Sequence, residues 1–194
     1  TTVEPWDGDE VQIQATKYAI GGTELSDVQV TRNVDDGQLS VGVKDTTGVA
    51  IGTVGGGLES LTVKVPSGVR VTELTVDDGD ATIGDVAGDL ALSVDDGTAE
   101  VGPLDGGVQI DGDDGEIEIG AVDSVAGAVD DGEISVTEAT TIGDVEVDDG
   151  IIDLAVGNVD GPATVRADDG DVTLRLSPSL DLSVTARSDD GTVT

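Results

Sequence analysis

The tripeptide Asp-Asp-Gly occurs eight times in this chain, and its spacing restricts the fold more than any other feature. From the second copy onward, the steps between successive glycines are 18, 18, 17, 18, 20 and 21 residues. A nearly constant repeat indicates that one structural unit is stacked on the next. The eight glycines are Gly37, Gly79, Gly97, Gly115, Gly132, Gly150, Gly170 and Gly191.

Apolar residues keep one phase within these repeats, which predicts strands with one buried face. No 3.6-residue apolar stripe is present, so helices are not expected. Two residues after the glycines lie Ala81, Ala99, Ile117, Ile134, Ile152 and Val172, and four residues after them lie Ile83, Val101, Ile119, Val136, Leu154 and Leu174. Seven residues after Gly79, Gly97 and Gly115 lie Val86, Leu104 and Val122. A later alternating pair is Leu90 and Leu92, Val108 and Ile110, Val145 and Val147, or Ala163 and Val165. We therefore expect two short strands per repeat, separated by a turn at Asp-Asp-Gly and by a Gly-Asp or Asp-Gly corner.

Two all-β architectures accommodate such strands, a sandwich built from a hairpin meander and a β-solenoid with one coil per repeat. A sandwich does not need equal repeat lengths, whereas a solenoid does, because equivalent residues must stack between coils. The sequence therefore predicts a single-stranded β-helix with about 18 residues per coil over residues 67–194. Residues 1–66 are less regular but show alternating strands, and we expect them to form a β-meander that caps the solenoid and is continuous with it.

The charge of the chain excludes several classes of function. Asp plus Glu is 42 and Lys plus Arg is 8, so the formal charge is −34, and there is no Cys and no His. Disulfides, the usual zinc sites and catalysis by a His base are excluded, and a nucleic acid would be repelled. So large a charge destabilises a compact state unless salt screens it, which indicates a protein of a halophile. A calcium-loaded extracellular acidic protein is the alternative.

The start of the chain bears on where the protein acts. No run of apolar residues is long enough for a membrane helix, and the chain begins with Thr rather than Met. We therefore expect Thr1 to be a processed start and any membrane anchor to lie outside this chain.

Stacked coils would align the second Asp of each repeat in one column. This column contains Asp78, Asp96, Asp114, Asp131, Asp149 and Asp169. Three interpretations remain open: solvated turns in which Asp caps backbone amides, a non-specific cation ladder that holds Na⁺, K⁺ or Ca²⁺, and catalysis by paired carboxylates. Eight copies of one motif single out no catalytic residue, so we expect no catalytic site and no cofactor other than such ions.

The last coil offers a second candidate surface. Residues Leu180, Leu182, Val184 and Val193 lie where an unpaired strand edge would be exposed, and such edges pair with other chains. We expect self-association there.

The stretch Leu61-Thr-Val-Lys-Val-Pro-Ser-Gly-Val-Arg-Val71, followed by Val76-Asp-Asp-Gly-Asp-Ala-Thr-Ile and Val86-Ala-Gly-Asp-Leu-Ala-Leu, resembles an adhesin β-strand-repeat family, a domain of unknown function. The resemblance covers residues 10–194, in a haloarchaeal-type acidic version that has Asp-Asp-Gly where many members have Ser-Gly. It implies a single-stranded β-helix at the cell surface and no established catalytic residue. The chain is more loosely similar to bactofilin-like β-helical filament proteins.

These observations together favour a non-enzymatic structural or adhesion protein of a halophile cell surface, an acidic β-helical rod that can self-associate. The expected partners are other copies of the chain or surface polymers, without nucleic acid, and with a membrane only through an anchor outside the chain. The first alternative is a self-assembling bactofilin-like cytoskeletal filament protein in the cytoplasm. The second alternative is a polysaccharide-active β-helix enzyme.

Overall fold

The computed structural model describes residues 1–19, 24–26, 28–45, 57–157, 163–177 and 184–194, and the part of the chain it describes contains strands and no helix. No described helix is therefore long and apolar enough to cross a membrane. The strands are β1 (Thr2–Trp6), β2 (Gln12–Tyr18), β3 (Val28–Asp35), β4 (Gln38–Asp45), β5 (Gly57–Pro66), β6 (Glu73–Ile83), β7 (Val86–Ala87), β8 (Leu90–Val101), β9 (Leu104–Val156), β10 (Ala163–Leu176) and β11 (Val184–Asp190).

The predicted β-solenoid is confirmed, because successive repeats pair in parallel at the repeat offset. β6 pairs with β8 and β8 with β9 at an offset of 18 residues, as in Leu74↔Leu92 and Leu92↔Ile110. The offset rises to 20 between β9 and β10 and to 21 between β10 and β11. These offsets equal the spacings of the Asp-Asp-Gly glycines, so equivalent residues of neighbouring repeats lie one above another.

The first full coil has three strand segments, whereas two strands were expected per repeat. In the first full coil the segments are residues 80–83, the short strand β7 and residues 90–94, with breaks at 84–85 and 88–89. The missed segment pairs as Val86↔Leu104, and its apolar side chains are buried. A two-residue segment is too short to show alternation, which explains why the pattern revealed its apolar residue but not its strand.

The interior of the solenoid consists of stacked aliphatic side chains. The two apolar columns after the glycines are buried, apart from the half-buried Leu174, and among the described residues no polar or charged side chain is buried. Ile119 is 2% exposed, whereas Glu118 beside it is exposed. The phase assigned from the sequence is therefore confirmed, and burial of apolar surface stabilises the stack of coils.

The first 66 residues contain the predicted strands, but the strands do not pair in chain order as a meander would. β1 lies between β5 and β6 and is parallel to both, while β2 pairs antiparallel with the other edge of β5. The amide of Thr82 donates to the carbonyl of Thr1 at 2.8 Å, and that of Gly84 donates to Val3 at 2.8 Å. The first strand of the chain thus forms the layer beneath the first coil. β3 and β4 form a separate antiparallel hairpin.

Candidate functional site

The Asp-Asp-Gly repeats from residue 77 onward form one corner of the solenoid, where the third segment of a coil bends into the first segment of the next. The second Asp and the Gly stay paired with the neighbouring coil, as in Asp78↔Asp96 and Gly79↔Gly97. The first Asp of each tripeptide has no register partner in the ladders between separate strands, although the residues on either side of it do. The corner is thus a bend within a continuous parallel ladder, whereas a turn separating two strands was expected.

The structure brings the six second aspartates together in one exposed column, which we call the carboxylate column. Asp96 pairs in register with Asp78 and Asp114, and Asp149 pairs with Asp169. Asp131 lies between Asp114 and Asp149, since the charges of both act on its carboxylate. Asp190 extends the column by one further coil, where it pairs with Asp169.

At most corners the glycine is required because a Cβ atom would collide with the neighbouring coil, whereas at Gly79, where no atom lies within 4 Å, the positive φ of 91° favours glycine instead. A Cβ atom on Gly150 would collide with the carbonyl oxygen of Gly132, and one on Gly170 would collide with the carbonyl oxygen of Gly150. Adjacent coils approach so closely at the corner that the backbone of one occupies the space of a side chain on the next. The tripeptide therefore recurs for a packing reason, which applies whether or not its carboxylates bind a ligand.

Desolvation, together with like charges in the carboxylate column, raises the pKa of two of its members. The pKa of Asp131 is raised, first by desolvation and then by the negative charges of Asp149 and Asp114. The pKa of Asp169 is raised by desolvation and by the charges of Asp149 and Asp190. Ionisation of these two groups is thus less favourable in the folded chain than in the unfolded chain, so their negative charge opposes folding at neutral pH.

Two arginines of the solenoid, Arg166 and Arg175, pair with carboxylates near its C-terminal coils. An Nη of Arg166 lies 2.5 Å from the carboxylate of Asp168 and 3.8 Å from that of Asp189. An Nη of Arg175 lies 2.6 Å from a carboxylate oxygen of Asp153 on the preceding coil. All these side chains are partly exposed, so each pair contributes only about 0–1 kcal/mol and screening by salt weakens it.

Within the described ranges, no group of three or more acidic side chains is arranged to hold a metal ion. The column instead presents one carboxylate per coil, a spacing of about 4.8 Å between neighbouring layers. Such a row can attract a diffuse layer of cations without a defined coordination shell. The cation ladder inferred from the sequence therefore stays a prediction.

A further set of aspartates, which the sequence reasoning did not single out, joins adjacent coils. Their carboxylates accept hydrogen bonds at 2.9 Å from backbone amides of the next coil. The pairs are Asp89 with the amide of Gly107, Asp144 with Thr164, and Asp171 with Thr192. The dipeptide Gly-Asp at 88–89 and 143–144 was the available signal, because Asp after a tight corner often accepts from a nearby amide.

The residues predicted for self-association are only partly described. Leu180 and Leu182 lie outside the described residues, and Val184 is the first residue of β11. Val193 bridges to Val172 in parallel and is 45% exposed. The amide of Thr194 donates to the carbonyl of Val172 at 2.9 Å, so residues 192–194 continue the stack beside β10.

Comparison with known proteins gives one match. A family model described as Toastrack DUF4097 matches residues 2–194. A search of curated proteins found no match, and neither did a search of solved structures.

Proposed function

Because the chain belongs to the Toastrack DUF4097 family, whose function is unknown, and its β-solenoid fits a structural role, we propose that it is a non-enzymatic acidic rod. In this proposal the rod acts at the surface of a salt-adapted cell, in adhesion or in the surface layer. Its contacts are with other copies of the chain or with surface polymers. We further propose that the cell is a halophilic archaeon, because concentrated salt around its proteins would screen so large a negative charge.

The carboxylate column is the observation that carries this proposal. Two unit charges about 4.8 Å apart repel by about 0.9 kcal/mol even at the dielectric constant of water, and the column repeats this contact at every coil. At molar salt the Debye length is about 3 Å, so the same charges are screened from one another. A surface of this kind is suited to concentrated salt, where it also keeps the protein hydrated and soluble.

Support for a non-enzymatic role comes from the composition and from the repetition of the corner. The chain contains no His and no Cys, so the common nucleophile–base pairs cannot be built. Paired carboxylates remain as possible catalysts, but each coil presents the same pair at the same corner. A structural role requires no such distinction, because every coil contributes equally to a rod.

Two other functions compete with the surface rod. A bactofilin-like filament protein of the cytoplasm would use the same stacked coils to polymerise end to end. A polysaccharide-active β-helix enzyme would release new reducing ends from acidic polysaccharides. Polymerisation measured by electron microscopy would favour the first, and reducing ends released from such substrates would favour the second.

The decisive experiment measures folding against salt concentration. The full chain is melted by circular dichroism at NaCl concentrations from about 3 M down to about 0.01 M, where the Debye length reaches about 30 Å. We expect cooperative unfolding at high salt, a melting temperature that falls with each dilution, and loss of the β signal at the lowest salt. An unchanged melting temperature across the series would refute the salt-adapted rod.

A further inference from the structure

A groove of about 640 Å³ crosses the second face of the solenoid, the face formed by the short strand segments. Its floor presents the exposed side chains of Ala87, Pro103 and Ala121. Val86, Leu104 and Val122, in equivalent positions of three successive coils, lie behind this floor and are buried in the core. The turn after β5 forms one wall, and the amide of Val69 donates to the carbonyl of Pro66 at 3.1 Å within it. Arg70 forms a parallel bridge with Ala87, so this wall is attached to the first coil.

The groove has an unusual concentration of prolines. Pro5, Pro66 and Pro103 come from β1, from the end of β5 and from a corner between coils, and all three line it. They are all the prolines within the described ranges of the chain. Proline has no amide hydrogen, so this lining presents apolar surface where other residues would present a hydrogen-bond donor. The small side chains of Ala87 and Ala121 are exposed and leave the space between the prolines open.

Carboxylates border this apolar surface, and no Lys or Arg is among the lining residues. The acidic lining residues are Asp85, Asp105, Asp123 and Glu138, and all four are exposed. The ion pairs recorded within the described ranges include none of them. The groove therefore combines an apolar floor with uncompensated negative charge, and its volume lies in the range typical of ligand sites.

We propose that this groove docks a short extended peptide segment of a partner protein, in which Lys or Arg side chains alternate with apolar ones. The cationic side chains pair with the carboxylates, and the apolar side chains cover the prolines, the exposed alanines and Val69. An inorganic cation would leave the apolar floor uncovered. A sugar chain would find no aromatic side chain for stacking, because neither Trp6 nor Tyr18 lines the groove.

The proposal is independent of the salt-adapted rod, since it concerns one face of the solenoid and not the carboxylate column. It holds wherever the protein is located. Its test therefore uses variants that separate the groove from the general negative charge of the chain.

The probe is a fluorescently labelled hexapeptide of alternating Lys and Val, titrated with the full chain and followed by fluorescence anisotropy. The control peptide alternates Lys and Ser, so it has the same charge without the apolar side chains. Measurements are made at the lowest salt concentration at which circular dichroism shows the chain to be folded. We expect the Lys-Val peptide to bind about tenfold more tightly than the Lys-Ser peptide, because only the former covers the apolar floor.

Two double variants separate the groove from the rest of the acidic surface. Asp105→Asn with Asp123→Asn removes two charges from the groove, whereas Asp114→Asn with Asp131→Asn removes two charges from the carboxylate column. We expect the groove pair to weaken binding of the Lys-Val peptide about tenfold and the column pair to change it less than about twofold. Ala121→Lys, at an exposed site in the groove, supplies a second variant and should also weaken binding.

Equal losses for the two double variants would show non-specific attraction to a polyanion and would overturn the proposal. Equal affinities for the two peptides would overturn it as well, as would the absence of binding. None of these outcomes depends on how the melting temperature responds to salt, so a failure of this proposal is distinguishable from a failure of the proposed function.

Discussion

At the scale of single residues, the two parts of the Asp-Asp-Gly tripeptide serve different purposes. The glycine is required by the close approach of two backbones, since the carbonyl oxygen of Gly132 occupies the place of a Cβ on Gly150. The aspartates point to solvent, where their charges oppose folding but favour hydration. The glycine therefore determines whether the corner can form, while the aspartates determine the conditions under which it is stable.

Gly150→Ala should destabilise the fold by about 2 kcal/mol or more, because the new methyl group meets backbone that cannot move without shifting a coil. The matched control is Gly157→Ala, whose Cβ would have its nearest neighbour at 3.6 Å, the carbonyl oxygen of Ala139. Chemical denaturation at high salt measures both variants. Equal stabilities would contradict the packing explanation of the corner.

At the scale of elements, one tripeptide adopts two structures depending on its neighbours. Asp35-Asp36-Gly37 joins β3 to β4, whose ladder begins at Asp35↔Gln38, so residues 36–37 are a two-residue hairpin loop. Asp36 has φ 48° and Gly37 has φ 82°, as a type I′ turn requires. Each of the other copies follows a strand that has an equivalent in the next repeat. These equivalent strands stack in parallel, so no hairpin forms there. This hairpin forms its own two-stranded sheet, outside the sheet of the solenoid.

Gly37→Val should unfold the hairpin locally without unfolding the solenoid, because a β-branched residue is strongly disfavoured at positive φ. A two-stranded hairpin is marginal by itself, so a penalty of about 1–2 kcal/mol is enough to open it. Hydrogen exchange should show faster exchange in β3 and β4, with an unchanged melting temperature for the remaining strands. Ser40→Val, on the exposed strand β4, is the control and should leave exchange unchanged. A fall in the melting temperature of the whole molecule would show that the hairpin supports the solenoid.

At the scale of the whole molecule, charge is distributed unevenly between the beginning of the chain and the coils. Residues 1–66 carry 10 acidic and 4 basic side chains, whereas residues 67–194 carry 32 acidic and 4 basic ones. Within the coils, the carboxylates repeat in register, so repulsion accumulates along the corner. The stability of the whole molecule is therefore expected to respond to pH as well as to salt.

The raised pKa values of Asp131 and Asp169 determine the sign of this pH response. Their pKa is higher in the folded chain than the usual pKa of an aspartate, so between the two values the folded chain binds more protons than the unfolded chain. The free energy of unfolding should therefore increase as the pH falls from 7 through the raised pKa values, and decrease as the pH rises again.

Thermal melts at one fixed NaCl concentration, the lowest at which circular dichroism shows the chain to be folded at pH 7, measure this dependence. Asp131→Asn combined with Asp169→Asn should raise the melting temperature at pH 7 and flatten its rise on acidification, because two titrating charges are removed from the column. Asp7→Asn combined with Asp9→Asn, in the loop between β1 and β2, removes the same number of charges and is the control for the change in net charge. A melting temperature that falls steadily from pH 7 to pH 5 would contradict the prediction.

The sequence alone determined the repeat, its register and the buried phase, because stacking of parallel coils places residues of equal position one above another. The alternation at Ile117 and Ile119 was enough to predict which side chains face the core, and the spacing of the glycines predicted each inter-coil offset. The column of second aspartates followed from the same spacing. These features depend on local periodicity, which is written directly in the chain.

Only the tertiary structure decided what depends on contacts between distant segments. The insertion of β1 between β5 and β6 joins residues about 60 and 80 positions apart, and no local pattern encodes that choice. The third segment of the first full coil was too short to show a period, although Val86, which pairs with Leu104, marked its place. The groove needed three prolines from separate parts of the chain, and only the packing of the first strand and the turn after β5 against the coils brings them to one surface.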